Sequence, residues 1–160
     1  MPRRSVLAAI LLLATHVVRA APDATTLTLW PGYTVALPAG HCVELSRGPD
    51  FDVLYFRDRS APKGPILVGL YAGHNPKELE CAKPTSRQWT ANGVSFKSVR
   101  GSDGCAEFLV EDAKKPERGF LHIWFGPAAR NNPPLAEGVV QSVRPAPLPV
   151  YRPDDLPGCN

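Results

Sequence analysis

The side chains in this 160-residue chain that could do chemistry are few and scattered. Of its histidines, His41, His74 and His122 lie beyond the apolar N-terminal stretch. None stands at a ligand spacing from another or from a cysteine, so no zinc site is expected. His74 closes a strand-like run in Gly73-His74-Asn75-Pro76, and Asp50, Asp52 and Glu80 fall within reach of one sheet end. A histidine oriented by a carboxylate is what general-base hydrolysis requires, so His74 with Asp50 or Asp52 forms the hydrolase reading. Turn chemistry accounts for the same residues, because Asn75-Pro76 opens a helix and Asp50 follows Pro49 in a turn. Asp50 and Asp52 also project to the same side, but two carboxylates fall short of the about six to eight oxygens that calcium takes. His122, between Phe120 and Trp124, reads as a half-buried structural histidine. The chain has no Gly-x-Ser-x-Gly elbow, phosphate-cradling glycine loop, dinucleotide fingerprint or His-Glu-x-x-His, and no cofactor is expected.

Cysteine offers the other chemistry. Cys42, Cys81, Cys105 and Cys159 are an even set, and in an oxidising compartment they should form two disulfides, with three pairings open. In a simple meander, Cys42 and Cys81 fall near one end of the sheet and Cys105 at the other. That parity favours Cys42–Cys81 with Cys105–Cys159 over Cys81–Cys105 with Cys42–Cys159.

The compartment is read from the first residues. Pro2-Arg3-Arg4 is a basic start, Val6 to Ala14 is an apolar core, and Val18-Arg19-Ala20 offers a cleavage point, so residues 1–20 read as a secretory signal peptide. Arg3-Arg4 also fits a twin-arginine signal, but the brief basic start favours the general route. Arg3, Arg4 and Arg19 account for the whole net charge of +3, which removes the support for nucleic-acid or polybasic membrane binding. The apolar core is shorter than the about 20 residues that a membrane-spanning helix needs. A periplasmic or secreted protein without a transmembrane segment in its mature part is expected.

The elements that must position these residues follow from punctuation. Strands are predicted at 33–37, 42–45, 51–57, 66–71, 94–99, 105–111 and 120–125, separated by Gly, Pro, Asp and Asn turns. Asn132-Pro133 opens a helix to Val143, with Leu135, Val139, Val140 and Val143 on one face. A second, short helix is predicted near Pro76 to Ala82. Residues 21–32 read as an N-terminal extension, 33–144 as a single globular domain, and 145–160 as a Pro-rich tail. Both faces of the strands at 51–57 and 120–125 are apolar, which predicts an α+β fold with a central antiparallel sheet covered on either side by helices and loops.

The strings Gly48-Pro49-Asp50-Phe51-Asp52-Val53, Gly69-Leu70-Tyr71-Ala72-Gly73-His74-Asn75-Pro76, Glu107-Phe108-Leu109-Val110 and Val140-Gln141-Ser142-Val143-Arg144 resemble those of small exported bacterial proteins with a Mog1/PsbP-like α/β/α sandwich. The resemblance implies an accessory role in binding other proteins or assisting assemblies. The resulting expectation is a non-catalytic binding module for a protein or cell-envelope partner, with the hydrolase or a disulfide-stabilised enzyme inhibitor as alternatives. Trp30, Tyr33, Trp89 and Tyr151 lie outside the central strands and are the interface candidates.

Overall fold

The computed structural model describes residues 24–77, 79–130, 132–147 and 156–159. Residues 1–20, where a signal peptide is expected, and Tyr151 lie outside the described residues. Alternating apolar residues between turn-forming ones give β1 (Thr25–Leu29), β2 (Tyr33–Leu37), β3 (His41–Arg47), β4 (Phe51–Asp58), β5 (Val68–Gly73), β6 (Thr85–Ala91), β7 (Val94–Arg100), β8 (Ala106–Asp112), β9 (Phe120–Phe125) and β10 (Arg144–Pro145). Two short helices, α1 (Pro127–Arg130) and α2 (Pro133–Ser142), follow β9. Asn132 caps α2 by accepting from the Leu135 backbone N–H, as the Asn-Pro pair predicts. No helix among the described residues is long and apolar enough to cross a membrane.

The strands form two antiparallel sheets, one ordered β1-β2-β10 and one ordered β3-β4-β5-β9-β8-β7-β6. The fold is therefore mostly β and sandwich-like, and the expected α/β/α layering does not occur. The second layer comes from a segment that reads as an extension. β1 pairs with β2 from Thr25↔Leu37 to Leu29↔Tyr33, and Leu27, Leu29, Tyr33, Val35 and Leu37 are all buried. They face Leu54, Phe56, Leu70, Val110, Leu121 and Ile123 of the large sheet in one core, which α2 completes with Leu135, Val139 and Val140. Ser142 of α2 accepts from the Ala36 backbone N–H at 2.8 Å, tying the helix to β2.

The large sheet has one crossing that the meander reading misses. Gly73 pairs with Phe120 at one end, whereas Thr85 pairs with Arg100, and Arg100 with Ala106, at the other. Residues 74–84 therefore traverse the sheet, and the helix predicted near Pro76 to Ala82 is absent from the described residues there. The predicted helix has one apolar residue, Leu79, between Pro76 and Glu80, and so offers no stripe to bury against the sheet. The crossing overturns the expected disulfide pairing. Cys81 arrives beside Cys105 and bonds to it, and Cys42 pairs with Cys159. β3 enters from the end opposite Phe51, so Cys42 was assigned to the wrong end. The chain terminus docks there as a short parallel addition to β3, with Val43 N–H donating to Pro157 C=O and Cys159 N–H to Val43 C=O. The 117-residue separation that Cys42–Cys159 closes is worth about 5 kcal/mol in the chain-entropy account. β6, at the other margin, pairs with β7 alone among the described residues.

A buried polar knot joins the sheets. Tyr33, with no exposed surface, donates to Gly119 C=O at 2.8 Å and accepts from Asp112 N–H at 2.9 Å. The Asp112 carboxylate accepts from the backbone of Lys114 and Lys115 and pairs with Arg118 at 3.2 Å. Arg118 also donates to Gly32 C=O and Ala146 C=O. Gly32 has φ +122°, and a Cβ there would lie 3.0 Å from the Arg118 side chain, so the position needs glycine on both counts.

Removing one charge of a buried pair leaves the other uncompensated, so Asp112→Asn should lower the stability measured by urea unfolding by about 3 kcal/mol. Tyr33 supplies a pH test. Burial pushes its phenol up to about 12, from an ordinary value of 10.0. Its contribution is whole below pH 10.0 and is lost as the pH rises towards about 12, because the unfolded chain gives up the proton first. Urea titrations across that window should show a loss of about 2 kcal/mol that is missing from the profile of Tyr33→Phe.

Candidate functional site

The outer face of the large sheet, away from β1 and β2, carries aromatic rings where solvent-facing polar residues would be ordinary. Glycine on β5 determines how they lie. Gly69 sits between Tyr55 of β4 and Trp124 of β9 in the register, and a Cβ at Gly69 would fall inside the Trp124 indole. The indole therefore lies across the strand backbone, and Tyr55 meets it edge-on with centroids 6.4 Å apart. Gly73 does the same for Tyr71, whose hydroxyl would lie 2.5 Å from a Cβ there, and Phe51 stacks on Tyr71 at 5.4 Å.

The crossing segment 74–84 makes these rings one wall of a cleft. Asn75 N–H donates to the Tyr71 hydroxyl at 3.1 Å, and the Cys81–Cys105 disulfide fixes the far end. Val53, Tyr55, Tyr71, Lys77, Glu80, Glu107, His122 and Trp124 enclose about 360 Å³. His122 and Glu107 form the polar centre. His122 stands opposite Tyr71 and Leu109, Glu107 stands opposite Trp124, and the diagonal between them brings Nε2 to 2.9 Å from Glu107 Oε2. The two side chains are 8 % and 15 % exposed, so water does little to screen the contact. Lys77 and Glu80 form an exposed pair at 3.4 Å. The arrangement offers flat apolar surfaces beside a carboxylate-oriented imidazole.

Cys81, Cys105 and Glu107 bring two sulfurs and a carboxylate within 4.8 Å of one another. The sulfurs are bonded together and have no thiolate to offer a metal.

The sequence-derived candidates fall elsewhere. His74 is exposed and packs edge-on against Trp30 at 5.3 Å, and no hydrogen bond links it to Asp50 or Asp52 among the described residues. Asp52 is buried and pairs with Arg47 at 3.4 Å, while Asp50 is exposed on the same shallow hollow, which Trp30 borders. Tyr33 belongs to the core and cannot serve as an interface residue. Trp89 is half-buried on Phe96. His41 is tied to the Pro38 and Ala39 carbonyls by its Nδ1. The His122–Glu107 pair was missed because it depends on the β8–β9 register. Its legible signal was the apolar outward set Tyr55, Tyr71 and Trp124 beside two strand glycines.

Compared with protein-family models, curated proteins and solved structures, the chain has no match. The cleft is therefore read from its own geometry.

Gly69→Ala tests the floor of the cleft. The new methyl should displace the Trp124 indole, change the near-UV circular dichroism, and lower stability by about 1–3 kcal/mol in urea unfolding.

Proposed function

We propose that the protein is exported to the periplasm or the exterior and acts there by binding a saccharide of the cell envelope in the outer-face cleft. The observation that carries this reading is the pair of strand glycines that let Trp124 and Tyr71 lie against the sheet. A ring laid flat exposes its face, and a sugar ring presents C–H bonds on its faces and hydroxyls around its rim. The face matches the Trp124 indole, and the hydroxyls match Glu107, His122, Glu80 and Lys77 at the cleft margin. Two disulfides support the export reading, since such bonds persist in oxidising compartments. The hydroxyls lining the cleft belong to tyrosines, which favours recognition over acyl-transfer chemistry.

Isothermal titration with soluble oligosaccharides from an envelope digest provides the test. Trp124→Ala should weaken binding about tenfold, equivalent to about 1.4 kcal/mol, in a protein whose far-UV circular dichroism shows the sheet intact. Undiminished affinity in Trp124→Ala would remove the stacking role. Release of new reducing ends on incubation would replace binding with hydrolysis at His122 and Glu107.

A further inference from the structure

A second cavity, of about 350 Å³, lies on the opposite face of the large sheet between its open margin and α2, and the proposed function does not use it. Its floor is aromatic: Trp89 stacks on Phe96 at 5.0 Å and 6°, and meets Phe108 edge-on at 6.2 Å. Two guanidinium groups stand over this floor. Arg87 Cζ is 5.5 Å from the Trp89 ring centre, and Arg100 Cζ is 5.8 Å from that of Phe108. Neither arginine has a carboxylate partner among the described residues. Glu137 on α2 lines the cavity without reaching ion-pair distance of either. An inward charge on a margin strand is a common guard against edge pairing, which would account for Arg87 on β6. It does not account for Arg100, which is on β7, inside the sheet.

We propose that this cavity binds a small amphipathic anion, an aryl carboxylate whose head lies between Arg87 and Arg100 and whose ring fills the apolar space that Phe125, Ala136 and Val140 line beside them. Guanidinium over an aromatic face keeps its N–H edge free, and that edge matches a carboxylate in two-point geometry. A cationic ligand is disfavoured because both ring faces already hold a cation. Glu137 opposes the anion, so its charge lowers the affinity without abolishing it.

The test is titration calorimetry of the disulfide-intact protein at low salt with 2-naphthoate, 2-naphthylmethanol and 2-naphthylmethylamine. The naphthoate should bind about tenfold more tightly than the alcohol, and the amine least tightly. Arg87→Gln and Arg100→Gln should each weaken naphthoate binding about fivefold or more, and Glu137→Gln should tighten it about twofold. All three side chains belong to exposed residues, and thermal unfolding checks that the variants stay folded. A naphthoate preference below about threefold, no response to either arginine substitution, or tightest binding of the amine would overturn the proposal.

Discussion

Arg118 lies where the two sheets meet, and its guanidinium is shared between a carboxylate on one layer and carbonyls on the other. Asp112, at the end of β8, belongs to the large sheet, whereas Gly32 and Ala146 flank β2 and β10 of the small one. Tyr33 runs the other way, from the small sheet to Gly119 and Asp112. The surrounding Leu, Val and Phe contacts are strong but non-directional, and they tolerate sliding. Hydrogen bonds with fixed donor angles do not. The knot therefore sets which alignment of the layers is native, and everything mounted on the large sheet inherits that alignment.

The two faces of the large sheet then divide the work. The inner face is filled by β1, β2 and α2 except near β6, where the helix leaves the cavity above Trp89 open. Among the described residues, one stretch of chain crosses the outer face, and it serves as connection and cleft wall at once. A connection along the sheet margin would have left Tyr55, Tyr71 and Trp124 as bare apolar surface. Pinned at Asn75 and Cys81, the crossing shelters the rings while leaving a gap beside His122.

Strands were legible where burial is alternate and turns carry glycine or proline. The segments at 33–37 and 120–125 coincide with β2 and β9, and five others lie within a few residues of theirs. β6 was not legible, because a margin strand is packed from one side and Thr85-Ser86-Arg87-Gln88-Trp89 has one large apolar residue. β1 was lost to its position after an apolar leader, although Thr25-Thr26-Leu27-Thr28-Leu29 alternates plainly. The apolar outward residues of the strands at 51–57 and 120–125 suggest layers of helix on both faces, and that inference fails: a second sheet covers one face, and on the other the rings lie against strand glycines beside a crossing loop. Asn132-Pro133 and Asn75-Pro76 carry the same local signal, and only the first became a helix. Local capping proposes, and an apolar stripe to bury decides: α2 buries Leu135, Val139 and Val140, whereas Lys77-Glu78-Leu79-Glu80 has one apolar residue. His122 and Glu107 meet through a cross-strand diagonal, information that exists only once the register is known.

The margins of the large sheet also differ in permanence. The β3 margin is occupied by Pro157–Cys159, and the Cys42–Cys159 bond makes that occupant covalent, so no incoming chain can displace it by competition. Among the described residues nothing pairs with the outer side of β6. An incoming strand at β3 would meet the Val43 N–H and C=O already engaged by an occupant that cannot leave. The Cys42–Cys159 bond therefore acts as a lock against strand addition at that point of the sheet.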